Sequence, residues 1–125
     1  SQREVENARR YGIERFAQEL LTVRDSLEMG LEAANEEPSV EVLMVGKKAT
    51  LKQLEQLMDR FSISELDPLG EAFDPEFHEA MTTQPSEEYK PGQVMEVIQK
   101  GYCIHDRLLR PARVIIAAEA EKPDA

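Results

Sequence analysis

Residues 2–35 contain no proline and place apolar or small residues at Val5, Ala8, Gly12, Phe16, Leu20, Leu27, Leu31 and Ala34. Those spacings are three and four or their sums, and they predict one long amphipathic helix. Gly12 and Gly30 weaken it, each by about 1 kcal/mol relative to alanine. Asn35 suits its C-terminal cap, and Pro38 prevents simple continuation. A second helix is predicted over 39–61, with Ser39 as N-cap and a stripe of Val40, Leu43, Met44, Lys47, Leu51, Leu54, Met58 and Phe61. Gly46 costs that helix stability, which a close approach of another helix would explain. The short connection predicts an antiparallel αα-hairpin. Leu20, Leu21, Val23, Leu27 and Leu31 make the first helix apolar over too wide an arc for one partner. Either the hairpin packs on the C-terminal half of its own chain, or a second copy completes a four-helix bundle. The second solution is the more economical and implies a homodimer. Its expected core is Phe16, Leu20, Leu27, Leu31, Leu51, Leu54 and Met58.

Composition changes after Phe61. Residues 61–89 hold Glu65, Asp67, Glu71, Asp74, Glu76, Glu79, Glu87 and Glu88 but no Lys or Arg, and they carry Pro68, Gly70, Pro75 and Pro85. The segment therefore reads as loop-rich. ISEL (63–66) suits a short strand. In FDPEFHEAM (73–81), Asp74 suits an N-cap and Pro75 a first helical position, which predicts a short helix over 75–81. YKPGQ (89–93) signals a turn. From residue 94 the pattern has period two. A strand over 94–100, a bend at Gly101, an extended YCI and a tight turn at 105–107 lead into a return strand over 108–119. Pro111 cannot donate to a ladder and belongs at an edge or bulge. Gly101 answers a backbone need, a bulge or a positive φ. The fold class is α+β: a helical hairpin followed by a small, mainly β domain.

The chain has 125 residues and a formal charge of −10, from 25 acids against 15 bases. A nucleic-acid binder needs a basic footprint, and an anionic membrane attracts one; this chain has neither. No apolar run approaches the ~18 residues of a membrane span. Cys103 is the sole cysteine, so there is no disulfide framework, and a reducing, cytoplasmic setting fits. The chain opens at Ser1 inside what already reads as helix, and we expect a segment upstream. Trp is absent and aromatic residues are few, so the core rests on Leu, Val, Ile and Met.

KGYCIHDRLLRPARV (100–114) sets a cysteine, a histidine and an aspartate close together, the residue types of a nucleophile, base and orienting acid. Adjacency in an extended strand works against catalysis. Cys103 and His105 would share a face about 6–7 Å apart, whereas a triad needs its base within ~3 Å of the nucleophile. Cys103 is read as a small core-filler or a partly exposed thiol, and Asp106 as a turn residue. His78 and His105 lack HxxxH or CxxC spacing, so no metal site is expected. His78 is read as a packed or capping histidine. No GxGxxG or P-loop is present, and no cofactor, catalytic residue or small-molecule substrate is expected. The return strand is apolar on both faces: Val114 and Ile116 face one way, Ile115 and Ala117 the other. On strand 94–100, Val94 and Ile98 oppose Met95 and Val97. The second sheet face needs a cover, either the 62–93 loops or another protein.

FDPEFHEAM, followed after about twenty residues by QKGYCIHDRLLRPARVII, resembles the C-terminal signature of the GrpE family, the nucleotide-exchange cochaperones of DnaK-type heat-shock chaperones. The matching residues are Phe73, Asp74, Pro75, His78, Ala80, Gly101, Tyr102, Arg107, Leu109, Arg110, Pro111, Ala112, Val114 and Ile116. ERFAQELLTVRDSLEMGLE (14–32) and VGKKATLKQLEQLMDRF (45–61) look like the family's bundle helices. The resemblance implies an elongated homodimer with long paired helices, a four-helix bundle and one small β-domain per subunit. The implied organisation is a remnant of the paired helix over 1–14, the hairpin over 15–61, the β-domain over 62–121 and a tail over 122–125. The family's helical stalk extends farther upstream than this chain does.

The resemblance also implies a function without covalent chemistry. The chain would bind the nucleotide-binding domain of a DnaK-type chaperone in its open form and so promote ADP release. Matching by position implies chaperone contact through Phe73, Pro75, Ile98 and Ile116. Arg107 fits a turn-stabilising donor and a partner ion pair equally. The alternative reading is a dimeric helical adaptor that presents a β-domain to another protein.

Overall fold

Ser1 opens the first helix by accepting a hydrogen bond from the Glu4 N–H on its hydroxyl. The computed structural model describes residues 1–122. The order is α1 (Gln2–Glu36), α2 (Val40–Arg60), β1 (Ile63–Leu66), β2 (His78–Pro85), β3 (Val94–Gln99), β4 (Gly101–Ile104), β5 (Arg107–Arg110) and β6 (Ala112–Ala118). The chain divides into two compact units after Phe61.

In the first unit α1 passes the expected cap at Asn35 and ends at Glu36, where the Glu37 N–H still bonds the Ala33 carbonyl. Ser39 caps α2 as its sequence predicts, accepting from the Val42 N–H at 3.1 Å. The seam between the helices is not the leucine stripe. On α1 it runs through Glu19, Val23, Ser26, Gly30 and Ala34, and on α2 through Val42, Gly46, Thr50, Gln53 and Leu57. Val23 and Leu57 are the buried pair, at 8% and 2% exposure. Two glycines set the closeness: a Cβ on Gly46 would lie 3.1 Å from the Gly30 Cα. One turn away, the Ser26 and Thr50 hydroxyls meet at 3.1 Å. At the α2 C-terminus the Phe61 ring stands edge-on to Phe16, centroids 5.1 Å apart, and Arg60 pairs with Glu19.

The second unit holds two three-stranded sheets, ordered β1-β4-β5 and β2-β6-β3. Sequence reading expected a helix over 75–81. One turn does form: the Asp74 carbonyl accepts from the Phe77 and His78 N–H groups, at 3.1 and 2.8 Å. The chain then leaves helical geometry and runs as β2, parallel to β6 with Glu79 opposite Arg113 and Thr83 opposite Ile116. The β-branched pair Thr82–Thr83 and an available strand edge outweigh the capping signal.

The return strand over 108–119 is likewise two strands. Pro111 separates β5 from β6, and the chain changes sheet there. It also changes sheet at Lys100, between β3 and β4. The two crossings touch. Gly101 does not have a positive φ; it is buried directly against the backbone of Ala112. Strand β6 lies between its partners and is buried on both faces, through Ala112, Val114, Ile115 and Ala117. Val94, Ala112 and Val114 form the core, with Leu66, Phe73, Val97 and Ile116 packed on it. Leu66 and Phe73 come from the 62–93 segment, which thus supplies cover for the sheet. That segment is pinned beside β3 by Gly70 N–H to Val94 O and Val94 N–H to Glu71 O, both 2.8 Å. Of the expected tail, residues 123–125 lie outside the described residues.

Candidate functional site

Each unit presents apolar side chains to solvent. In the hairpin these are the leucines that the seam leaves out. A helix advances 100° per residue, so Leu20, Leu27 and Leu31 share one flank of α1, about 60–100° from Gly30. Leu43, Leu51, Leu54 and Met58 lie about 60–140° from Gly46 on one flank of α2. The two flanks lie on the same side of the hairpin, because Leu27, Leu31, Leu43 and the two glycines line one cleft of about 130 Å³. Leu27 and Leu31 are 53% and 65% exposed, and Leu20, Leu51 and Leu54 are exposed as well. Met58 is half-buried, and Phe16 stands at the seam against Phe61. The opposite flank is smaller in side chain and more acidic: Met29, Ala33, Val45 and Ala49 lie there with Glu36, Glu37 and Glu41.

In the second unit the contact residues implied by the resemblance fall in different settings. Phe73 is half-buried on the core and edge-on to His78, centroids 5.8 Å apart. Pro75 is exposed in the single helical turn. Ile116 is half-buried and packs on the core cluster, its register partners being Thr83 and Val94. Ile98 is 53% exposed. Strict alternation would put Ile98 on the face of Val94, but the β3–β6 register shifts between Val94 and Glu96 and again between Val97 and Gln99. The first shift brings Val97 inward beside Val94; the second leaves Ile98 as the unpaired residue of a bulge, pointing out. Leu69 and the signature residue Leu109, neither among the contact residues implied by the resemblance, are as exposed as Ile98. Edge strand β5 is exposed along its whole length, and its sequence, Arg-Leu-Leu-Arg, has no alternation to mark an inward face.

Arg107 is exposed, opens β5 and pairs in register with Ile104. The arginine of β5 with a defined bond is Arg110, beside the sheet crossings and not at the turn: its Nε donates to the Lys100 carbonyl at 3.0 Å and its guanidinium lies 5.2 Å from the Tyr102 ring centre. The Lys100 ammonium in turn donates to Glu65 at 2.9 Å. That hydrogen bond first, and the Glu65 charge second, raise the Lys100 pKa above its ordinary value.

Cys103 is buried on β4 opposite Ser64. His105 is not on its strand face as alternation expected; it sits exposed in the turn with φ of 51°. Nothing aligns Cys103, His105 and Asp106 for proton transfer. Among the described residues, no three His, Cys, Asp or Glu side chains gather as a metal site, and no helix is long and apolar enough to cross a membrane.

The arrangement therefore offers surfaces, an apolar helical flank in one unit and scattered apolar side chains on a small β-unit in the other. The GrpE family model matches residues 1–118, across both units. The chain belongs to the GrpE family. It is 50% identical over 124 residues to Protein GrpE of Alkalilimnicola ehrlichii, covering 98% of this chain and 57% of that protein. It is 53% identical over 119 residues to Protein GrpE of Thioalkalivibrio sulfidiphilus, covering 95% and 64%. Against Protein GrpE of Halorhodospira halophila it is 48% identical over 122 residues, covering 97% and 51%. This GrpE chain thus spans about half to two-thirds of the length of the curated relatives it matches. Its signature residues now have physical roles. Gly101, Pro111 and Ala112 form the paired sheet crossings, and Phe73, Asp74 and His78 build the turn ahead of β2.

Proposed function

We propose that this chain acts in the cytoplasm as a homodimeric nucleotide-exchange cochaperone, and that its β-unit binds the nucleotide-binding domain of a DnaK-type chaperone. The observation that carries this reading is membership of the GrpE family across both units. The second copy covers the leucine flank of the hairpin and completes a four-helix bundle. Exposed Ile98 and Pro75, with Phe73 at the edge of the core and Arg107 on β5, supply the chaperone-facing surface; Ile116 backs it from within the core.

Exchange on this reading is linkage. A protein that binds the open cleft better than the closed, ADP-loaded one must weaken ADP by the same factor that ADP weakens it. A hundredfold effect requires about 2.7 kcal/mol of differential affinity, within reach of a few well-packed apolar contacts. An exposed arginine pair would add little, ~0–1 kcal/mol.

Stopped-flow release of fluorescently labelled ADP from a DnaK-type chaperone tests the function. Addition of the chain should speed release in a concentration-dependent manner; an unchanged rate at saturating chain would overturn it. Ile98→Asp should lower the stimulation at least tenfold while leaving the dimer and its melting temperature intact. Ile98 is the discriminating position because its side chain is already in water, whereas Ile116→Asp would also place a charge against the core.

A further inference from the structure

We propose that His78 is a pH-sensitive latch on the turn that carries Phe73 and Pro75, so that protonating it loosens the chaperone-facing surface; this rests on the reading above and adds its regulation. The Nδ1 atom of His78 accepts a hydrogen bond from the Asp74 N–H at 2.9 Å. The His78 N–H donates to the Asp74 carbonyl at 2.8 Å. One residue thus closes the turn twice, through its side chain and through its backbone. The Phe73 ring rests edge-on against the same imidazole.

Both flanks of the turn are tied to the sheet. Phe73 N–H donates to the Gly92 carbonyl and Ala112 N–H to the Phe77 carbonyl, each at 3.0 Å. Between those ties, the imidazole is what the Asp74 N–H leans on, and it covers one edge of the core-packed Phe73 ring.

A neutral imidazole has one acceptor nitrogen; the imidazolium has none. Protonation puts an Nδ1–H against the Asp74 N–H, donor facing donor, and the bond breaks. The ionisable groups around it are Asp74, Glu76 and Glu79 on its own segment and Arg113 on β6, the register partner of Glu79. The Asp74 Oδ1 accepts from the Glu76 N–H at 3.0 Å, so the residue that loses the imidazole bond also carries a second bond of the turn. Pro75 follows Asp74 in the chain and shifts with it, while Phe73, tied to Gly92 and the core, loses its edge contact with the ring. An unperturbed histidine changes charge between about pH 5 and 8.

Two measurements on the whole chain test the latch. In NMR spectra from pH 8 to pH 5, the Asp74 amide resonance should follow the titration of the His78 ring and ignore that of His105, which lies exposed in the β4–β5 turn. An Asp74 amide that does not follow His78 overturns the proposal. Affinity for the isolated nucleotide-binding domain should fall by about tenfold across the same range, the effect of one lost hydrogen bond. His78→Asn keeps an acceptor oxygen and cannot be protonated, so it should remove that fall, with the wild-type to variant ratio cancelling any titration of the chaperone. Identical profiles for the two proteins overturn it as well. Absence of binding at every pH would sink the exchange function instead, and the Asp74 resonance would still decide the latch.

Discussion

A Cβ added to Gly101 would stand 2.5 Å from the Ala112 nitrogen, 2.8 Å from the Pro111 carbonyl carbon and 2.9 Å from the Arg110 oxygen. All three are backbone atoms and cannot rotate away, so the two sheet crossings would have to separate. Gly101→Ala should therefore destabilise the β-unit by at least about 2 kcal/mol, read from urea denaturation. Reading the sequence alone marked this glycine as a backbone requirement but assigned it to a bulge or positive φ. The actual cause, backbone nine to eleven residues on, has no local signal. Beside it, the Lys100–Glu65 pair gives a pH signature. Because its pKa is raised, Lys100 stabilises the fold fully below the ordinary lysine range, and the contribution goes as pH rises through the folded-state value. Both partners are about half exposed, so the effect is small. The melting-temperature difference between wild type and Glu65→Gln should stay constant through neutral pH and close only in strongly alkaline solution.

At the scale of elements, the hairpin shows two glycines of opposite meaning. Gly12 on α1 has no atom within 4 Å of where its Cβ would be, while Gly46 faces Gly30 at contact distance. Gly12→Ala should raise helix stability by about 0.5–1 kcal/mol. Gly46→Val should separate the helices and lower the thermal midpoint despite its better helix propensity. Circular dichroism melts of the two variants should shift in opposite directions. A stabilised Gly46→Val would refute the close crossing. The β-unit shows the converse case, where local signals mislead. Asp74 and Pro75 do start a helical turn, and β6 then captures the chain as β2. Two register shifts on β3 break the alternation that placed Ile98 with Val94. A bulge depends on both strands of a pair, so one strand's sequence does not contain it.

For the molecule as a whole, the leucine flank is the largest unmet demand. Leu27→Asp or Leu54→Asp puts a charge at an exposed position of the single chain, which alone costs little. In a four-helix bundle the same charge would be buried, so sedimentation should show monomers for either variant and dimers for the wild type. Wild-type chain that sediments as a monomer would refute the bundle. What sequence by itself determined were the two helices, the cap at Ser39, the change of character at Phe61, the extended C-terminal half and the family signature. All of these rest on periods, caps and breakers that act within a few residues. Only the tertiary structure decided that the seam closes on Gly30 and Gly46 with Val23 and Leu57 buried, and that the other leucines form its flank. It alone split one apparent hairpin into two sheets at Lys100 and Pro111, and separated exposed Ile98 from core-packed Ile116. Each depends on which distant backbone arrives alongside, and hydrophobic pattern marks a residue as wanting burial without naming what will bury it.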